Sequence, residues 1–494
     1  MKKVAVIGSG FSGLAAATTL ADKNCKVTVF EKNSSPGGRA RKFEENGFLF
    51  DMGPSWYWMP DVFERYFNRF GKSTRDYYQL ERLNPSYRIY FGEKDSWDVP
   101  AGETALQAYF EQIEPGSGAR LKKFLEEGKY KYEVGINDLV YKPGLSLSEL
   151  LDWNLITGAL RLHVFQSISA YVRKYFRNPK LIQLLEFPVL FLGAAPAKTP
   201  ALYSLMNYAD MALGTWYPKG GMHEIVKAMV QLAEEKGVEF RYNSPVEHLP
   251  VTNGRIEKIQ MGGQELAFDA VVAAADYHHV EQHLLPQPFR RYTEAYWQSR
   301  VMAPSSLIFY LGVDKPVKGL LHHNLFFDQD FTRHAHEIYE APAWPEKPLF
   351  YVCCTSKSDP TVAPAGQENI FILIPVAPGL KDEESVRELY YQRVMDRLEK
   401  LTGDSIRNHV VYKRSYAHND FISDYHAFKG NAYGLANTIL QTANLKPGIL
   451  NKKVKNLFYT GQLTVPGPGV PPSLISGQVV GEHVWKQLSV EPVR

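Results

Sequence analysis

The chain has 494 residues, 45% hydrophobic and 22% charged, with a net charge of +3; it is globular, too long for one compact domain, and too weakly basic for a nucleic-acid binder. Its three cysteines, Cys25, Cys353 and Cys354, exclude a disulfide framework and a spaced zinc motif, and suit a reducing interior. The sequence contains no apolar run of about 18 residues, so any membrane contact is expected to be peripheral.

Residues 4–7 read as a buried parallel strand, 13–23 as a helix rich in alanine and leucine, and 27–30 as the next strand of a βαβ unit. The strand begins so early that no signal or transit peptide is expected before it. Gly8 permits a tight turn, Gly10 lets backbone approach a pyrophosphate, and Gly13 lets the helix lie close to the strands. The first-turn amides around Phe11 and Ser12, with the helix dipole, make a site for dinucleotide phosphates. Glu31, followed by Lys32, ends the second strand where a ribose hydroxyl is bound in such units. Further on stand Pro36-Gly37-Gly38-Arg39 and Phe50-Asp51-Met52-Gly53-Pro54-Ser55. Paired glycines beside an arginine suit backbone that passes close to a diphosphate with a guanidinium at hand.

This pair of motifs resembles the FAD-binding flavoproteins that include amine oxidases, protoporphyrinogen oxidase and carotenoid desaturases. The resemblance implies FAD, with contacts extending to Lys32, Gly53, Pro54 and Ser55.

Residues 60–70 carry proline in a first turn, apolar residues at helical spacing and glycine after the end, which predicts a short amphipathic helix. Residues 88–91 and 96–99 predict a hairpin, and helices follow at 104–113 and 118–135, with another from Ser146. The stretch 147–192 packs Leu151, Trp153, Leu155, Ile156, Leu160, Leu162, Val164 and Phe165 near Arg161, Arg173, Lys174, Arg177 and Lys180. Such a stretch fits either a core helix with cations in water or a helix in an anionic headgroup layer. Residues 187–196, bounded by prolines, are a candidate wall for an apolar cavity.

The nucleotide domain is expected to resume at Thr215, with a helix over 223–236, a strand over 238–242, and a β-rich portion ending at 270–276. The resemblance implies that the backbone of Val246 meets the adenine side of the cofactor. Strands are expected at 306–312, 349–353 and 369–375, and a charged helix at 383–402. His322, His323, His334 and His336 lack a known ligand pattern and read as surface or structural residues, so no metal is expected. Cys353 and Cys354, adjacent in a strand, point to opposite faces and make a poor redox pair.

The segment from Lys455 through Gly461-Gln462-Leu463-Thr464-Val465-Pro466-Gly467 to Val470 and Gly477 reads as a strand, a turn and a helix start. Helix amides near Val470 suit negative charge on a reduced flavin. With the opening motif and residues 216–222, this segment resembles bacterial phytoene desaturases of the carotenoid desaturase family, most nearly the lycopene-forming type. Many relatives have Gly-Ala-Gly-Thr-His-Pro-Gly here, and the absent histidine leaves catalytic residues unassigned.

The resemblance implies an α/β fold: a Rossmann-like FAD-binding domain (1–59, 215–285, 450–494) and a discontinuous mixed α+β substrate domain (60–214, 286–449), with 147–192 a helical membrane-associating part. It implies conversion of phytoene to lycopene by successive hydride transfer to FAD and proton loss. The partners implied are a lipophilic carotenoid, a membrane surface and an acceptor such as quinone or oxygen, at the inner face of the cell membrane. Desaturation of a later carotenoid, isomerisation, amine oxidation and a non-catalytic isoprenoid escort are the alternatives.

Overall fold

A computed structural model describes residues 1–145, 162–163, 166–190, 195–438 and 441–490. The expected helix from Ser146 and most of the apolar cluster at 147–165 lie outside these residues.

β1 (Lys3–Ile7), α1 (Phe11–Asp22) and β2 (Lys26–Phe30) form the opening βαβ unit. Val4 to Ile7 are all buried, because a parallel sheet is covered on both faces and needs no polar alternation. A hairpin of β3 (Lys42–Glu45) and β4 (Phe48–Asp51) precedes α2 (Pro60–Asn68). Then come β5 (Leu80–Arg82), the pair β6 (Tyr87–Gly92) and β7 (Asp95–Val99), and α3 (Glu103–Ile113) with α4 (Ser117–Val134). α5 (Pro179–Leu190) and α6 (Leu205–Met211) lead to β8 (Trp216–Pro218), α7 (His223–Glu235) and β9 (Glu239–Arg241). The hairpin β10 (Lys258–Met261) and β11 (Gln264–Ala267) is followed by β12 (Ala270–Ala273).

These segments converge on a five-stranded sheet of order β18-β12-β1-β2-β9, where β18 is Leu457–Tyr459. Every pairing in it is parallel, with Val4 opposite Val27 on one side and Ala270 on the other.

The second sheet has seven strands in the order β17-β13-β16-β15-β14-β6-β7. It uses β13 (Ser305–Val313), β14 (His323–Phe326), β15 (Phe350–Cys353), β16 (Glu368–Val376) and β17 (Val410–Tyr416), with α8 (Phe331–Tyr339) between β14 and β15. Its pairings are antiparallel except for β14 with β6. One face is covered by α9 (Glu384–Thr402), whose Tyr390, Val394 and Leu398 pack on Leu307 and Ile372. The other face meets Phe48, Phe50 and the aromatic side of α4, so β13 is buried at all nine positions. Cys353 belongs to this second face and Cys354 to the first, as adjacent strand positions require. α10 (His418–Tyr425) and α11 (Val470–Val490) complete the chain's labelled helices.

Among the described residues no helix is long and apolar enough to cross a membrane. Of the basic residues expected near a headgroup layer, Arg173 pairs with Glu186, and Lys180 bonds Asp95 at 2.7 Å. Lys174 and Arg177 are exposed.

Candidate functional site

A cavity of about 410 Å³ runs between the two sheets, and its lining begins at the β1–α1 turn. Gly8 has φ +99°, and its amide donates to Phe30 O at 2.8 Å, which closes the turn. Gly10 caps α1 with no side-chain hydrogen bond, and nothing lies within 4 Å of where its Cβ would stand. The first-turn amides are therefore left to an anion in open space. Gly13 serves packing instead: a Cβ there would stand 2.0 Å from Gly8 O, so the helix lies directly on the turn. Gly8, Gly10, Phe11 and Ser12 line the cavity and Gly13 does not.

The second glycine motif closes over the first. Gly37 N donates to Ser9 O at 2.9 Å, and a Cβ on Gly38 would be 3.3 Å from Gly10 Cα. Both glycines hold positive φ, which L side chains resist. Arg39 follows, its Nη2 donating to Asn431 O at 3.2 Å and its guanidinium 5.1 Å from the Tyr425 ring. Burial pulls its pKa down, Asp276 opposes that, and Nε is buried without a partner. A cation with spare donors on a cavity wall is a receptor for a diphosphate.

Glu31 is buried and its oxygens are occupied: Oε2 accepts from Ser9 Oγ at 2.7 Å and Ser9 N at 3.0 Å, and Oε1 accepts from Asn33 N at 2.9 Å. It therefore fixes the turn as well as facing the expected ribose position. Lys32, its pKa lowered by burial, donates to Ser423 O, and Val246 lies on the same wall.

Gly53, Pro54 and Ser55 line the middle of the cavity, anchored from both sides. Tyr310 Oη donates to Met52 O at 2.7 Å, and Asp51 accepts from Met222 N at 2.7 Å and His223 N at 3.0 Å. Asp51 thereby caps α7 and joins the second motif to the 215–222 stretch; burial raises its pKa to about 6. Gly461, Gln462 and Val470 close the far side. Gln462 Nε2 donates to Asn431 Oδ1 at 3.2 Å. The expected amides at the start of α11 are fewer than a helix usually offers. Pro471 and Pro472 have no N–H, and Ser473 N is spent on Gly469 O at 3.0 Å, so Val470 N is the donor that remains.

Beyond Ser55 the lining turns aromatic and apolar, with Trp56, Trp58, Pro188, Ile308, Tyr351 and Tyr433. Pro188 belongs to the stretch read as a cavity wall. Trp56 and Trp58 alternate directly after Gly53-Pro54-Ser55, a signal that sequence reading passed over. Tyr351 and Tyr433 also border a smaller apolar recess with Phe187, Phe327 and Ile338.

The histidines are not surface residues apart from His336: His322, His323 and His334 are buried. Pairing of β14 with β15 sets His323 opposite Cys353, and donor atoms of His322, His323 and Cys353 lie within 4.8 Å of one another. Their separation in sequence hid this cluster.

The model for flavin-containing amine oxidoreductases matches residues 11–480. The chain belongs to that family. It is 41% identical over 487 residues to the carotenoid 3,4-desaturase of Haloarcula japonica, covering 98% of each chain. With the zeta-carotene-forming phytoene desaturase of Myxococcus xanthus it shares 31% over 491 residues, 98% of this chain and 94% of that one. An oxidoreductase structure from Methanosarcina mazei, 15% identical, superposes with a TM-score of 0.64 over 99% of this chain and 100% of that one, which shows the fold. The enzyme is an FAD-dependent oxidoreductase that desaturates carotenoids. The resemblance to lycopene-forming enzymes is too narrow, because the relative at 41% carries a different desaturase name. The uncapped α1 turn, the space at Gly10 and the spare donors of Arg39 fit FAD.

Proposed function

We propose that the enzyme desaturates a CH₂–CH₂ unit at the 3,4 position of a C40 carotenoid that already carries a polyene. The observation that carries this reading is the gap between 41% identity to a carotenoid 3,4-desaturase and 31% to a phytoene desaturase, each over 98% of the chain. The second reading is stepwise conversion of phytoene to lycopene, in which the full-length match to the Myxococcus xanthus enzyme supports phytoene as the substrate.

The α1 amides, Gly10, Gly38 and Arg39 would hold the diphosphate of FAD, and Val470 N would be a donor for its flavin end. When bound, FAD supplies a two-electron acceptor for hydride. The apolar lining from Trp56 to Tyr433 excludes water and lays the polyene past Ser55, where position and dryness favour loss of hydride from a carbon next to a conjugated chain. Charge left on the substrate spreads along the polyene, and the aromatic walls offer ring faces to it.

On this reading 1–59, 215–285 and 450–494 form the FAD domain and the remainder the substrate domain. The substrate enters from a bilayer that the enzyme meets peripherally at the inner face of the cell membrane, and a quinone or oxygen takes the electrons. Gly13 supports the cofactor turn without touching it.

The test is anaerobic mixing of the FAD-loaded enzyme with phytoene, lycopene or a hydroxylated or monocyclic carotene in liposomes, followed by quinone addition and polyene analysis. Flavin bleaching with lycopene or a later carotene, and a product longer by one double bond, supports the first reading. Bleaching with phytoene alone moves the enzyme to the second. Isomer interconversion without acceptor consumption defeats both.

A further inference from the structure

Tyr351 stands on the cavity wall next to Ser55, and its hydroxyl lies 2.6 Å from His323 Nδ1. The strand register puts Tyr351, Cys353 and His323 on one face of the second sheet, since His323 pairs with Cys353 and Tyr351 is two residues away. His323 is fully buried and its ring stacks on Trp56 at 4.1 Å and 10°, while Nε2 has no partner. His322 is also buried, with its Nε2 unpartnered and its Nδ1 2.9 Å from Ser358 Oγ. Ser358 is half-buried, in a loop that reaches exposed Pro360. A line of polar side chains thus leads from the cavity to the surface through an otherwise apolar core.

We propose that Tyr351 and His323 are the acceptor for the proton that leaves the substrate, and that His322 and Ser358 pass it to solvent. The proposal rests on the desaturase reading above. One C–H bond of the CH₂–CH₂ unit breaks and the hydrogen leaves with its electron pair as hydride, for which FAD, when bound, would be the two-electron acceptor. The adjoining C–H then breaks, and its pair becomes the new π bond. That proton goes to Tyr351 Oη as the tyrosine's own hydroxyl proton moves to His323 Nδ1, and His323 releases its Nε2 proton towards His322. Tautomer exchange along the same line resets the imidazole.

The base need not be strong, because a proton beside an allylic cation is far more acidic than an imidazolium. Burial holds His323 well below its usual pKa and His322 at about 3, so both rings are neutral and able to receive a proton. The indole face of Trp56 steadies the transient charge on His323. One ring nitrogen of each histidine lies within 4.8 Å of one on the other, close enough for a single bridging water between the two rings.

The test uses the FAD-loaded enzyme with the carotenoid that bleaches the wild type. Tyr351→Phe and His323→Asn are each expected to keep flavin content and KM, and to lose about 100-fold or more in the rate of desaturation. The solvent deuterium isotope effect of the wild type is expected to vanish in Tyr351→Phe. Elemental analysis is expected to find no stoichiometric metal. Both variants within about two-fold of wild type in rate overturn the relay, as does a stoichiometric metal lost together with His323. A wild type that no carotenoid bleaches overturns the desaturase reading, and the relay with it.

Discussion

Gly477 of α11 faces the carbonyl oxygen of Ser12 so closely that a Cβ on the glycine would stand 2.1 Å from it. One turn on, a Cβ at Gly481 would stand 2.9 Å from Thr19 Cβ. The two helices touch backbone to backbone, and this contact holds α1 over the cofactor turn. Gly477→Ala is expected to push them apart and to cost about 1–3 kcal/mol, as inserted core methyls do. Thermal unfolding followed by flavin fluorescence should show a lower midpoint and earlier release of cofactor.

Arg39 is a cavity cation with a spare donor, so its replacement by alanine removes charge-assisted hydrogen bonds worth about 1.5–3 kcal/mol. FAD affinity of Arg39→Ala, measured by titrating the apoprotein, is expected to fall about 10- to 100-fold. An unchanged affinity would remove Arg39 from the diphosphate site.

Lys446 is buried beside Gly467, its Nζ has no hydrogen-bond partner, and burial lowers its pKa to about 7. The unfolded chain keeps the ordinary value of about 10.4 and binds more protons between these limits. Stability is therefore expected to rise with pH across that window and to be least below pH 7. Lys446→Met should raise the urea midpoint at pH 7 and flatten its rise towards pH 9.

Lys174 and Arg177 are exposed cations, without a salt bridge among the described residues, in the region expected to meet the membrane. Reversing both to glutamate is expected to reduce co-sedimentation with anionic vesicles while FAD content stays constant. Binding by the native enzyme should fall as salt rises. Vesicle binding equal to the native protein's would place the docking surface elsewhere.

The local part of the site was legible in the sequence. Gly8 and Gly10 form one motif and Gly37, Gly38 and Arg39 another, each acting through backbone freedom or charge within a few residues, so spacing marks each motif while only the fold brings the two together. Glu31 was read as a ribose acceptor, and its second duty on Ser9 depends on a turn geometry that spacing does not specify. Val470 shows a related limit, because the two following prolines remove donors that a helix start otherwise offers. His323 read as a surface or structural residue and Tyr351 and Cys353 as parts of a strand, and only the long-range pairing of β14 with β15 joins them. Residues 147–192 carried an amphipathic signal, yet Arg173 is taken by Glu186 of the same stretch and Lys180 by Asp95 of β7.

The parallel sheet has a consequence for biosynthesis. Its central strand, β1, is made first, yet β12 reaches it only after residue 270 and β18 joins only at 457–459. During translation the glycine turn must wait, with one flank of its sheet bare and α1 lacking the cover of α11. A ribosome that stalls within the substrate-domain segments releases a chain unable to complete its cofactor cradle. Flavin retention therefore needs the late strands as well as the opening motif, and products that stop short of β18 are expected to emerge colourless.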